Sequence, residues 1–200
     1  MQPFTTLTAV AIPLGVANVD TDQILPARFL KKPRSAGYGA FLFHDERRRG
    51  DAMLLDAPAY AGAGILVAGR NFGCGSSREG AVYALVDGGI RCVIAPSFGD
   101  IFASNAAKNG LLTVALPEEV AAALRARLAA APGATLTVDL PAERITDPDG
   151  AVIPFAIDPF RKRCLVEGLD DIDLTLAHAA AIDAYDARAE RETPWRIPPM

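Results

Sequence analysis

The segment Gly69-Arg70-Asn71-Phe72-Gly73-Cys74-Gly75-Ser76-Ser77-Arg78-Glu79-Gly80 concentrates the residues suited to chemistry. Glycines at 73 and 75 let the backbone bend sharply and approach a ligand closely. Ser76 and Ser77 supply hydroxyls, and Arg78 supplies a planar, permanently charged donor fork matched to a carboxylate or phosphate. An apolar run, Ile65-Leu66-Val67-Ala68, precedes the segment, and Arg78 to Val86 then reads as a helix closed by Gly88-Gly89. The first N–H groups of such a helix lack intrahelical acceptors and sit at the positive end of its dipole. Ser76-Ser77-Arg78-Glu79 fits a capping box, with Ser76 as the cap and Glu79 three residues on. Glycines, hydroxyls and a guanidinium at a strand-to-helix turn make an anion site.

The common anion motifs do not fit. A Walker loop needs a lysine that is absent here. A dinucleotide loop needs a third glycine where Arg78 stands, and an acid after the next strand, which instead ends Ala95-Pro96-Ser97. A nucleophile elbow needs G-x-S-x-G, which neither serine satisfies. A small carboxylate suits the remaining features, and a well-capped helix without a ligand is the alternative. A second polar group, Asp20-Thr21-Asp22, places two carboxylates at alternate positions. In an extended segment both would face one way as an acid/base pair; otherwise they shape the loop through backbone hydrogen bonds.

The elements around these residues read as a layered α/β core. Leu7 to Leu14 is a strand, followed by an irregular polar stretch from Val16 to about Asp56, expected to contain a mobile substrate loop. After the glycine segment come a strand at Cys92 to Ala95, a helix at Asp100 to Asn109 capped by Gly110, and a strand at Leu111 to Leu116. Pro117 to Ala131 is an alanine-rich helix. Thr135 to Leu140 and Ala151 to Ile157 read as strands around the turn Asp147-Pro148-Asp149-Gly150. A C-terminal helical extension over 158–200 opens on Asp158-Pro159. It continues past Gly168 into a helix from about Leu174 to Arg188 and a loose tail, ETPWRIPPM.

Composition narrows the function classes. With 200 residues, half of them apolar, the chain makes one domain that needs no disulfide staples. Lys+Arg 20 against Asp+Glu 24 gives a net charge of −4, which argues against nucleic acid or an anionic membrane as partner. No apolar window is long enough to span a membrane, and the N-terminus makes a poor signal peptide, so a cytoplasmic location is expected. Cys74, Cys92 and Cys164 are scattered, and His44 and His178 are isolated, so no metal-binding spacing exists.

Three stretches taken together resemble a known family. They are Asn18-Val19-Asp20-Thr21-Asp22-Gln23-Ile24-Leu25-Pro26, Asn71 to Glu79, and Ser97-Phe98 through Ile101-Phe102 to Asn105 and Asn109-Gly110. With Phe160-Arg161-Lys162-Arg163-Cys164-Leu165 and Gly168 to Leu176, they are similar in order and spacing to the small-subunit family of 3-isopropylmalate dehydratase, in its longer bacterial form. The resemblance implies the swivelling β/β/α domain of the aconitase superfamily. It implies a hydro-lyase interconverting 2-isopropylmalate and 3-isopropylmalate through 2-isopropylmaleate in leucine biosynthesis. It also implies a separate large subunit that carries a [4Fe–4S] cluster, with no cofactor or metal on this chain, in a heterodimer or larger complex.

Residue by residue, the resemblance makes Ser76 the alkoxide base and Ser77 and Arg78 the groups that bind substrate carboxylates. A serine is a weak base in water, so the helix N-terminus and Arg78 would have to supply positive potential. Arg28-Phe29-Leu30-Lys31 matches the family's substrate-discriminating loop, with Leu30 against the isopropyl group. Asp20, Thr21, Asp22, Gly73 and Gly75 shape the loops or face the partner, and Cys74 is a small loop residue. The aconitases' substrate-binding arginine before Asn18 is missing here, so Lys31, Lys32 or the large subunit must replace it. Two alternatives remain: the small subunit of a related citraconate or methylmalate hydro-lyase, or a non-catalytic carboxylate-binding subunit.

Overall fold

Nine residues, Thr6–Leu14, form the strand on which the rest of the sheet is assembled (β1). A computed structural model describes residues 1–49, 54–75, 78–193 and 195. The other strands are β2 (Ile65–Ala68), β3 (Cys92–Ala95), β4 (Leu112–Ala115), β5 (Thr135–Asp139), β6 (Arg144–Thr146) and β7 (Val152–Pro154). Their order across the sheet is β4-β3-β2-β1-β5-β6-β7. The strands from β1 to β4 run parallel, and those from β1 through β5 to β7 run antiparallel. β1 divides its own pairing: Thr6 to Val10 pair with β5 on one side, and Ala11 to Leu14 pair with β2 on the other.

All four residues of β2 and of β3 are buried, as expected of short parallel strands covered on both faces. Alternation then sorts their side chains. Leu66, Ala68, Val93 and Ala95 join one apolar cluster with residues of α2 (Glu79–Asp87) and α3 (Asp100–Lys108). Ile65, Val67, Cys92 and Ile94 join a second, with α4 (Glu118–Ala130), β5 and β6. The first cluster also takes in Val19, Ile24, Leu25, Tyr38, Leu42 and Phe43 from the stretch that follows β1. That stretch holds one helical turn, α1 (Thr21–Ile24), and then a run of short 3-10 turns.

The expected α/β core is present, with four departures. The helix after the glycine segment begins at Glu79, with Arg78 in the cap position. The turn at 147–150 joins β6 to β7 rather than β5 to a long strand. β6 is only three residues, and β7 stops at Pro154, which has no N–H for the ladder. The buried Asp147 side chain organises that turn, accepting from Asp149 N–H (3.0 Å) and Ala151 N–H (2.8 Å) and pairing with Arg127 of α4. The last helix is two. α6 (Asp171–Leu176) is opened by a capping box on Asp170, upstream of the expected start, and α7 (Ala179–Glu192) follows. Within α6 the Thr175 hydroxyl returns to the Asp171 carbonyl (2.9 Å), a local bond that competes with straight helix.

α5 (Pro159–Glu167) forms as its sequence signals require. The Asp158 carboxylate accepts from Arg161 N–H, Pro159 fills the first turn and Gly168 closes the helix at φ +72°. α7 buries none of its residues. Apart from Trp195, the tail from Pro194 onward lies outside the described residues, as do 50–53 of the expected mobile stretch. No helix among the described residues is long and apolar enough to cross a membrane.

Candidate active site

Past the ends of β1, β2 and β3 the parallel pairing continues into the loops. The N–H groups of Gly73 and Cys74 donate to the Val19 carbonyl (2.8 and 3.2 Å), and Thr21 N–H donates to Cys74 O (3.0 Å). Phe72 N–H donates to Ser97 O (3.0 Å), and Gly99 N–H to Phe72 O (2.9 Å). Three chain segments thus meet at the carboxyl edge of the parallel strands, where open α/β sheets hold their ligands. Two asparagines make the bends: Asn18 and Asn71 both have positive φ (56° and 57°), a conformation asparagine tolerates better than most residues. Asn71 Nδ2 donates to Asn18 Oδ1 (2.9 Å), and Asn71 N–H donates to Ser97 Oγ (2.9 Å). Gly73, at φ +72°, lies against Phe102 so closely that a side chain there would run into the ring. Phe102 in turn packs edge-on against Phe72.

Asp20 and Asp22 do not form the side-by-side pair of an extended segment, because the chain turns helical at Thr21. Asp20 is the cap of α1: its carboxylate accepts from Gln23 N–H (2.7 Å), and Gln23 Oε1 accepts from Asp20 N–H (2.9 Å). Thr21, the first residue of that turn, is buried. Asp22 Oδ1 accepts from Ala27 N–H (3.2 Å) and forms an ion pair with Nη1 of Arg78. A contact between residues 22 and 78 has no local sequence signal, so the sequence pattern missed it. Arg78 has extended backbone and makes no side-chain cap bond. Its side chain is 23% exposed, and Asp22 is its one protein partner among the described residues. Glu79 is the first helical residue, so the expected capping box with Glu79 in third place does not form. Its carboxylate instead accepts from Asn109 Nδ2 at the end of α3 (2.7 Å). Ser76 and Ser77 lie outside the described residues.

The loop carrying residues 28–31 divides its side chains. Arg28 forks onto Asp45 through both terminal nitrogens, with His44 Nδ1 3.0 Å from the same carboxylate. The Arg28 guanidinium, helped by His44, holds the Asp45 carboxyl well below the usual carboxylate range. Phe29 stacks on Phe41, with ring centroids 4.3 Å apart, and meets His44 edge-on. Lys32 lies over the Phe41 ring (4.8 Å). Farther along, Arg47 Nε donates to both oxygens of Asp56 (2.9 Å). Arg28, Phe29 and Lys32 are therefore engaged inside the loop. Leu30 remains 39% exposed beside Gly80, on the same first turn of α2 that Arg78 caps. Lys31 is exposed and makes no ion pair to another described residue.

Among the described residues no three His, Cys, Asp or Glu side chains gather as a metal site. Cys92 in β3 and Cys164 in α5 are buried on separate elements, and burial pushes the Cys92 thiol up.

A mixed sheet whose parallel edge carries a glycine loop, an arginine-capped helix and a helical turn after β1 defines an aconitase-type C-terminal domain. The family model of that description, "Aconitase C-terminal domain", matches residues 1–119. A model described as LeuD_N matches 122–159, and one for the C-terminal domain of the 3-isopropylmalate dehydratase small subunit matches 171–197. The chain is 54% identical to the 3-isopropylmalate dehydratase small subunit of Rhodospirillum centenum, over 98% of this chain and all of that one. It is 50% identical to the protein of the same name from Magnetococcus marinus, covering 98% of each. A crystal structure titled 3-isopropylmalate dehydratase (leuD), from Methanocaldococcus jannaschii, superposes with a TM-score of 0.64 at 26% identity, covering 90% of this chain and 99% of that one. The chain belongs to the 3-isopropylmalate dehydratase small-subunit family.

Proposed function

We infer that the chain acts as the small subunit of a two-part hydro-lyase of leucine biosynthesis. It interconverts 2-isopropylmalate and 3-isopropylmalate through 2-isopropylmaleate. The observation that carries this reading is Arg78. It caps α2 at the carboxyl edge of the parallel strands, anchored by one nitrogen on Asp22, and its other donors, which bond no other described residue, suit a substrate carboxylate. Ser76 and Ser77 are adjacent in sequence. In this reading Ser77 shares the carboxylate with Arg78, while Ser76 removes the proton next to it. The cation and the helix N-terminus favour the ionised hydroxyl. Leu30, beside the first turn of the same helix, contacts the alkyl branch, and Lys31 supplies a second cation. The [4Fe–4S] cluster belongs to the large subunit, where it would supply a Lewis acid for the leaving hydroxyl. The large subunit also covers the open edge of the site and contacts the stretch 16–56.

The test is anaerobic reconstitution with the cognate large subunit and assay on 2-isopropylmalate, citraconate and cis-aconitate. Turnover is expected to be fastest on the isopropyl substrate. Ser76→Ala should lower kcat by about 10²–10⁴-fold, the usual worth of a positioned acid or base, while assembly persists. Near-normal turnover by that variant would remove the base assignment. Full activity of this chain alone would remove the two-subunit reading, and fastest turnover of cis-aconitate would remove the role of Leu30.

A further inference from the structure

Gly80 breaks a local rule without a backbone reason. It is the second residue of α2, where alanine would be the better helix former, and its φ is not among the positive values that call for glycine. What excludes a side chain is space. A methyl at residue 80 would lie 2.6 Å from Leu30 Cδ2, 3.0 Å from Leu25 Cδ2 and 3.5 Å from Tyr38 Cε2. Leu25 and Tyr38 are buried in the first apolar cluster and have little freedom to yield. Leu30 is the exposed member of the three, and its methyls are the far end of a flexible side chain. The notch left by Gly80 is therefore filled from the loop, two residues from Arg78.

We propose that Gly80 is a specificity-setting residue: its missing side chain seats Leu30 against α2 and so fixes how large an alkyl branch the site admits. The proposal rests on the reading of Leu30 as the alkyl contact. Gly80 acts through Leu30 and touches no substrate itself, which makes it a positioning residue. An alanine at 80 drives Leu30 outward, into the space its seat had left for the branch. An isopropyl group then loses room, and a methyl group keeps it.

The experiment compares Gly80→Ala, Leu30→Ala and the double variant in the complex reconstituted with the large subunit, measuring hydration of 2-isopropylmaleate and of citraconate. Gly80→Ala should raise KM for the isopropyl substrate about tenfold with kcat within threefold, the scale on which apolar pockets discriminate single methylenes. Its kcat/KM on citraconate should hold, so the isopropyl-to-methyl preference falls about tenfold. In the double variant the preference should equal that of Leu30→Ala alone, because the nearest and only exposed side chain in the methyl's way, Leu30, is gone and what remains is the tight but buried contact with Leu25.

Equal losses on both substrates, or effects that multiply in the double variant, would overturn the proposal. A preference that falls in Leu30→Ala but not in Gly80→Ala refutes the role of Gly80 and leaves the alkyl reading standing. An unchanged preference in Leu30→Ala refutes both. Should Gly80→Ala fail to assemble, the double variant must restore assembly, and failure to do so also refutes the seat.

Discussion

Replacing Arg78 with lysine separates recognition from stability at this site. Arg78 gives Nη1 to Asp22; under the proposed function its remaining donors receive a substrate carboxylate. A lysine ammonium retains the charge but is a single point donor, unable to hold Asp22 and a ligand in the same fork geometry. The loss is one charge-assisted hydrogen bond, about 1.5–3 kcal/mol net. At about 1.4 kcal/mol per decade, KM should rise about 10- to 150-fold. Stability should change little. The Asp22 side chain is 52% exposed, and solvent-screened pairs of this kind contribute less than about 1 kcal/mol. For a chain of this length that is a melting shift of no more than about 4 °C. The assays are initial rates of isopropylmaleate hydration at saturating large subunit, and a thermal melt of the isolated chain. Adding Asp22→Asn to the lysine variant relieves the ammonium of its competing anion and should recover part of the lost KM. A lysine variant with KM within twofold of the parent refutes the reasoning, and so does a double variant with no recovery. A melting loss above about 10 °C would show that the arginine is chiefly structural.

Two further outcomes test the frame around the site. Gly73→Ala combines left-handed strain of about 1–2 kcal/mol with overpacking against Phe102 of about 1–3 kcal/mol, so the melting temperature should drop by about 10 °C. An unchanged melt would mean that the loop relaxes away from the ring. The Arg28–Asp45 clamp predicts acid sensitivity. Asp45 is held below its unfolded value, so its contribution is complete above the unfolded carboxylate pKa of about 3.9 and is lost as pH falls below that. Asp45→Asn should therefore flatten the decline of melting temperature below about pH 4, and an equally steep acid limb in that variant would assign the decline to other carboxylates.

Segments that announce themselves locally could be read from the sequence. The apolar runs of β2 and β3, the Asp158-Pro159 start of α5 and its Gly168 stop each carry their signal within a few neighbours. β6 could not be read, because three residues of alternating character carry no periodicity and gain their place only by pairing with β5 and β7. The sequence pattern set the cap of α2 on a serine, a better cap former than arginine, yet Arg78 stands in that position. Within the site, the residue types of the glycine loop pointed to an anion, but the Asp22–Arg78, Asn18–Asn71 and Arg28–Asp45 contacts each join residues 17 or more positions apart. Such pairings are decided by the folded backbone. For the same reason Arg28 and Phe29, named alongside Leu30 by their shared motif, have different surroundings from it.

The divided pairing of β1 bears on how the gene product could be cut. The boundary between family models falls near residue 120, which invites treating 1–119 as a separable module. That fragment would leave the Thr6 to Val10 edge without β5, exposing a row of unpaired N–H and C=O groups as a template for self-association. It would also strip α4, β5 and β6 from the second apolar cluster. The seam that makes two half-sheets into one therefore predicts an indivisible subunit: the half that carries Arg78 should not fold as a soluble monomer without the half that does not.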